Sequence, residues 1–210
     1  LEALVRKVYG NDLAECFQPK AGGLREKAMI ARMHKAAAIM QFKLEGQMIG
    51  RHPEWAMEER CLLHRIDAEG GILIDGVRYP LKDSFLPTVD PSSPYELSDD
   101  ERSCLARIRD SFLASKPLWK QMRWMVANGA MYLRREENLI FHGCLPVNEN
   151  GEFLPMLVRG RSVSGREMMD AIEMLVYDVL ETRERDSLDT LWYLWSGPRS
   201  PLFGKDRITT

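Results

Sequence analysis

His142 is the side chain best placed by its neighbours to do chemistry. It follows the apolar run Leu139-Ile-Phe141, and Gly143 comes directly after it. Such a run has strand character, so the imidazole falls where strand gives way to loop. Glycine at the next position lets the backbone turn sharply or come close to a ligand. An imidazole on rigid backbone with open space beyond suits a metal ligand or a general acid/base. A hydrogen-bonded histidine at a loop entrance has the same local pattern, and one histidine is not a site.

Other chemistries fail on spacing. Gly197 to Gly204-Lys205 looks superficially like a phosphate loop, but the glycines are too far apart. Asp206 also stands where a magnesium-holding Ser or Thr is needed. A cysteine-dependent phosphatase needs arginine six residues after its nucleophile. The residues six after Cys16, Cys61, Cys104 and Cys144 are Gly22, Asp67, Asp110 and Asn150. G-x-G-x-x-G, H-E-x-x-H and G-x-S-x-G are absent. His34, on a methionine-rich helix, and His64, after two leucines, read as structural or solvated. His52, between Arg51 and Pro53, leaves an anion-binding role open.

The elements around these residues can be read from local signals. Leu1–Tyr9 reads as a helix end stopped at Gly10-Asn-Asp12. The spacing predicts a long helix over Leu24–Ile49. Met29, Met33, Ala36, Met40 and Leu44 form one core face, and Arg25, Arg32, Lys35 and Lys43 supply polar positions around it. A short helix is expected over Met57–Ile66. A hairpin follows over Gly70–Tyr79, turning at Asp75-Gly76, and a proline-containing loop over Pro80–Tyr95. Ser98 and Glu101 have capping-box spacing, as do Ser164 and Glu167. Pro117 interrupts the first of these helical stretches, and Gly129 closes it after Asn128. Ala130–Arg134 and Leu139–Phe141 read as a hairpin around a four-residue turn, Arg135–Asn138, with His142 at its open end. Further helices are expected to about Glu181 and over Leu188–Trp195. Pro198 and Pro201 keep the tail from being helical.

Composition excludes several classes. A net charge of −2 with no long basic stripe argues against a nucleic-acid or anionic-membrane surface. The longest apolar runs, Ala36–Met40 and Leu191–Trp195, are five residues each, too short for a signal h-region or a membrane helix. The four scattered cysteines, without C-x-x-C, suit free thiols in a reducing cytoplasm. Both ends look cut, as in a piece of a longer protein.

Several blocks then read together. They are Met40-Gln-Phe-Lys-Leu-Glu-Gly-Gln47, Arg51-His-Pro-Glu54, Met57-Glu-Glu-Arg60, Phe141-His-Gly-Cys-Leu-Pro146, Tyr193-Leu-Trp195, Gly197-Pro198 and Ser200-Pro-Leu-Phe-Gly-Lys205. From about residue 10 onward the chain resembles the class III, Firmicutes-type, fructose-1,6-bisphosphatases of bacteria. That family belongs to the calcineurin-like metallophosphoesterases. Of the superfamily's motifs, the chain carries only the His-Gly element, as His142-Gly143.

The resemblance implies an α/β fold: part of a calcineurin-like metallophosphoesterase sandwich, with short hairpins carrying the His-Gly motif and a large, mostly helical insertion. It implies three parts: residues 1–23, the end of a preceding helix and a loop; 24–128, the insertion with a small hairpin; and 129–210, a partial metallophosphoesterase domain. It further implies a two-metal Mn²⁺ centre with most ligands outside this chain, and His142 as one ligand. The implied substrate is a sugar phosphate, fructose 1,6-bisphosphate, hydrolysed at its 1-phosphate in gluconeogenesis. Such a substrate needs cations near the metals, and Arg199 and Lys205, on the irregular tail, are the candidate phosphate-binding residues, with plain surface charges as the other reading. The insertion is left to regulation, a lid or homo-oligomer contact. A single imidazole cannot hold two metals close together, so the piece alone is expected to be inactive. Two alternatives stay open: another sugar-phosphate or phosphoprotein hydrolase of the superfamily, and a non-catalytic helical interaction domain.

Overall fold

The structure is a computed structural model that describes residues 1–20 and 23–203. It is mixed α/β, in two compact units, Leu1–Ala114 and Ser115–Thr210. No helix among the described residues is long and apolar enough to cross a membrane.

The first unit is organised by a 28-residue helix, α2 (Leu24–Arg51), preceded by α1 (Glu2–Val8). Leu4, Val5 and Tyr9 pack against Ala36, Ile39 and Met40, with Met29 and Met33 at the edge, so the methionine stripe is core. Lys35 and Lys43 depart from expectation. They lie inside, 1% and 0% exposed, instead of among polar positions around the core face. With Ile39 they recur every fourth residue, which puts all three on one helix face. Ion pairing makes that burial tolerable. Lys35 Nζ binds Asp12 Oδ2 at 2.7 Å and also Asp83, and Lys43 Nζ binds Glu101 Oε2 at 2.7 Å.

Met57–Ile66 is not a helix but two 3₁₀ turns, Glu58–Arg60 and Leu63–Arg65. Met57 and Leu63 are both buried. Six residues apart, they would point to different sides of an α-helix, and the turns bring both inward. The expected hairpin forms from β1 (Gly71–Ile74) and β2 (Val77–Pro80), around left-handed Asp75 and Gly76. Asp67 braces it: Gly71 N–H donates to Oδ1 at 2.8 Å, and Arg78 Nε to Oδ2 at 2.6 Å. These donors hold the Asp67 carboxyl down at about 2, Arg78 contributing most. Helix α3 (Asp99–Ala114) opens with the expected capping box, Glu101 N–H to Ser98 Oγ at 3.3 Å and Ser98 N–H to Glu101 Oε2 at 2.8 Å.

The second unit begins with α4 (Lys116–Asn128). Hairpin β3 (Tyr132–Arg135) and β4 (Asn138–Phe141) turns on Glu136-Glu137, tighter than the expected four residues because Glu136 accepts a left-handed conformation. A second hairpin, β5 (Met156–Val158) with β6 (Arg161–Val163), has no counterpart among the expected elements. It turns at left-handed Arg159-Gly160 and buries Met156, Val158 and Val163. Beside it runs α5 (Gly165–Thr182), whose Met168, Ile172 and Leu175 are fully enclosed. Ser164 starts α5 without a side-chain cap, and the Glu167 carboxylate accepts from Arg161 at 2.8 Å. Helix α6 (Arg185–Ser196) follows, and a turn-rich tail runs on from Gly197. The β-strands of the described residues make three separate two-stranded antiparallel sheets.

Candidate functional site

His142 is exposed on the turn after β4, at the open end of the hairpin, where Tyr132 pairs with Phe141. The hairpin is fastened to α5. Tyr132 O–H donates to Asp170 Oδ1 at 2.9 Å, and Met131 N–H to Glu173 Oε2 at 3.0 Å.

What fixes the backbone at His142 is the tail. Gly143 has φ +89°, a conformation side-chain-bearing residues rarely adopt. A Cβ there would lie 2.0 Å from the Pro201 carbonyl oxygen. That close approach lets Cys144 N–H donate to the same oxygen at 2.8 Å. Cys144 is half-buried, and its Sγ lies 3.9 Å from Ser200 O, a packing position. The tail is itself pinned: Ser200 Oγ donates to Leu194 O at 2.5 Å and accepts from Leu202 N–H at 3.1 Å. The His-Gly turn and the tail, 56 residues apart in sequence, thus form one backbone unit.

Arg199 belongs to this unit. Its N–H donates to the Tyr193 hydroxyl at 3.1 Å and its Nη1 to Pro155 O at 3.2 Å, while the residue as a whole is exposed. A guanidinium has five N–H donors, so a neutral carbonyl at this distance leaves most of its capacity for an anion. Lys205 lies outside the described residues. His52 stacks on Trp55, with ring centroids 4.1 Å apart, and meets Glu54 at 2.9 Å. His64 Nδ1 meets the Tyr95 hydroxyl at 2.8 Å, and His34 is exposed.

The donor set does not make a metal centre by itself. Among the described residues no group of three or more His, Cys, Asp or Glu side chains could hold a metal ion. One imidazole supplies one ligand, whereas a divalent site needs several that converge.

A cleft of about 480 Å³ borders the His-Gly turn, with Phe141 on one side of it in sequence and Leu145 on the other. Tyr132, Arg134 and Leu139 line it from the hairpin, Arg166 and Met169 from α5, and Phe153 from the intervening loop. Neither arginine stands out in the sequence as a site residue. Their signal was the period-2 alternation of Tyr132 with Arg134 and of Leu139 with Phe141, which puts all four on one hairpin face.

No solved structure matches the chain. The fructose-1,6-bisphosphatase class 3 of Clostridium acetobutylicum is 41% identical over 213 residues, covering 96% of this chain and 32% of that protein. That of Clostridium tetani is 40% identical over 220 residues, covering 100% of this chain and 33% of its own length. The Bacteroides thetaiotaomicron protein of the same name is 38% identical over 222 residues. The chain thus spans about a third of the length of the curated relatives it matches. The family model described as Firmicute fructose-1,6-bisphosphatase matches residues 1–210. A match along the whole chain, through the His-Gly turn and the tail that latches it, means that the chain belongs to the Firmicute fructose-1,6-bisphosphatase family.

Proposed function

We propose that this chain is part of a metal-dependent phosphatase that hydrolyses the 1-phosphate of fructose 1,6-bisphosphate, in gluconeogenesis in the cytoplasm. The observation that carries the reading is the family match over every residue, together with relatives of that one name. Water attacks phosphorus, the phosphorus–oxygen bond to the sugar breaks, and fructose 6-phosphate and inorganic phosphate leave. The metal of this reading is Mn²⁺. His142 provides one ligand, and the others come from parts of the enzyme outside this chain.

Two features support that role for His142. It is exposed and therefore accessible, and its backbone is locked on both sides, by β4 and by the latch to Pro201. A neutral imidazole held this way suits a divalent transition metal. Arg199, on the tail segment that latches the turn, is a phosphate ligand in this reading, and so is Lys205. Residues 129–210 are the part that completes a calcineurin-like sandwich, and residues 24–128 are inserted into it. The insertion serves in regulation, as a lid or in homo-oligomer contact.

The test is an activity panel on the full-length protein. Fructose 1,6-bisphosphate, other sugar phosphates and a phosphopeptide are compared, with and without added Mn²⁺ after chelation. Preferential turnover of fructose 1,6-bisphosphate that Mn²⁺ restores is the expected outcome. Preference for another substrate would reassign the enzyme within its superfamily. The 210-residue chain alone should show no turnover in the same assay.

A further inference from the structure

From the cleft beside the His-Gly turn we infer a binding site for the phosphate that is not cleaved, the 6-phosphate, with Arg134 and Arg166 as its ligands. This rests on the reading of the enzyme as a sugar-bisphosphate phosphatase.

The first ground is charge. The cleft is lined by two guanidinium groups and no carboxylate. Arg134 is exposed and has no partner among the described residues. Arg166 is oriented through Nε alone, which donates to the Tyr132 hydroxyl at 3.1 Å and lies 3.5 Å from Asp170 Oδ2. Its two terminal nitrogens have no partner among the described residues. Asp170 offsets part of the Arg166 charge, and Arg134 keeps the cleft positive, so an anion is the favoured occupant. A phosphomonoester, carrying about −1.5 to −2 at neutral pH, is an anion that suits this positive lining. Arginine also offers the planar pair of donors that phosphate oxygens accept.

The second ground is shape and lining. At about 480 Å³ the cleft falls inside the range of roughly 300–1,000 Å³ usual for small-molecule sites. Leu139, Phe141, Phe153 and Met169 form apolar walls. Aromatic rings of this kind suit the C–H face of a sugar, and Tyr132 adds a hydroxyl already fixed by Asp170.

The third ground is position. Phe141 precedes His142 and Leu145 follows Cys144, so the cleft adjoins the turn that presents the imidazole. A bisphosphate lying here would place one phosphate on the arginines and extend its other end toward that turn. Arg199 then serves the reacting phosphate, and Arg134 with Arg166 the distal one. This division makes the cleft the part of the enzyme that tells a bisphosphate from a sugar carrying only the reacting phosphate.

The test uses the full-length enzyme with Arg134→Ala, Arg166→Ala, their double variant and Arg134→Lys. Where a distal phosphate is held equally in ground and transition states, its loss raises KM and leaves kcat. The KM for fructose 1,6-bisphosphate should therefore rise roughly ten-fold or more in each alanine variant, with kcat within about three-fold of the parent. Arg134→Lys should recover part of the loss. The Kd of fructose 6-phosphate, which carries only the distal phosphate, should rise in parallel by calorimetry, and that of inorganic phosphate should not. Circular dichroism and metal content should match the parent. Unchanged KM and Kd, or a fall in kcat at constant KM, would overturn the assignment. If the parent itself does not hydrolyse the bisphosphate, the functional reading fails. Fructose 6-phosphate binding to parent and double variant then decides the cleft: equal affinity rejects it, and a roughly ten-fold difference upholds a sugar-phosphate site.

Discussion

Lys43 Nζ and Glu101 Oε2 stand 2.7 Å apart, with both side chains closed off from water. The same carboxylate oxygen accepts the Ser98 N–H at 2.8 Å, and the same ammonium donates to Thr88 O at 2.5 Å. One buried ion pair thus ties the middle of α2, the start of α3 and the 81–98 loop to a common point. Removing one partner of such a pair strands the other charge in a low-dielectric interior.

Lys43→Met should therefore destabilise the first unit by about 3–5 kcal/mol. Lys43→Met with Glu101→Gln should cost less than Lys43→Met alone, since the amide is neutral and still accepts from Ser98. Native-state hydrogen exchange of α2 and α3 amides in the full-length protein reads both. A double variant as unstable as the single one would show that the stranded charge is not the cause.

His142→Ala in the full-length enzyme should remove one metal ligand and lower activity by orders of magnitude, leaving the fold intact. The side chain is exposed, so its removal opens no cavity. Elemental analysis together with turnover decides. Unaltered metal content and rate would return His142 to a histidine at a loop entrance.

Gly143→Ala should be worse for the fold than His142→Ala. At φ +89° an L-residue is strained by about 1–3 kcal/mol, and its Cβ meets the Pro201 backbone oxygen instead of a movable side chain. The Cys144 amide should lose its protection from exchange as the tail is pushed away. A well-protected Cys144 amide in the variant would mean that the latch yields elsewhere.

The Asp67 carboxyl should titrate near pH 2 by NMR. Its folded value lies below the ordinary 3.8. Its contribution to the β1–β2 hairpin is thus present above that ordinary value and lost as pH falls through about 2. Arg78→Ala should move the midpoint back up, because the Arg78 hydrogen bond is the largest cause of the depression. A midpoint still near 2 in the variant would assign the effect to the Gly71 and Glu69 amides.

Local chemistry made much of this readable. The 28-residue helix, the Ser98–Glu101 box, the Asp75-Gly76 turn and the strand end at His142 each depend on neighbours a few residues away. The failures involve distant partners. Lys35 and Lys43 look solvated until Asp83 and Glu101, 48 and 58 residues onward, are brought against them. Ser164–Glu167 has the right spacing, yet no side-chain cap forms and the carboxylate accepts from Arg161 of β6. Pro201 carries no local sign that its carbonyl closes over Gly143. The cleft needed both the hairpin register and the start of α5, so neither arginine stood out alone.

The latch between Cys144 and Pro201 also sets an order of events during synthesis. The His-Gly turn leaves the ribosome well before the segment that locks it, with 56 residues separating Cys144 from Ser200. At roughly 5–20 residues per second, that gap lasts about 3–11 s. Throughout it the turn has its strand but not its lock. A nascent chain from which the turn but not the tail has emerged would present the imidazole on an unfastened loop, so the geometry that positions His142 is acquired only once the tail has emerged.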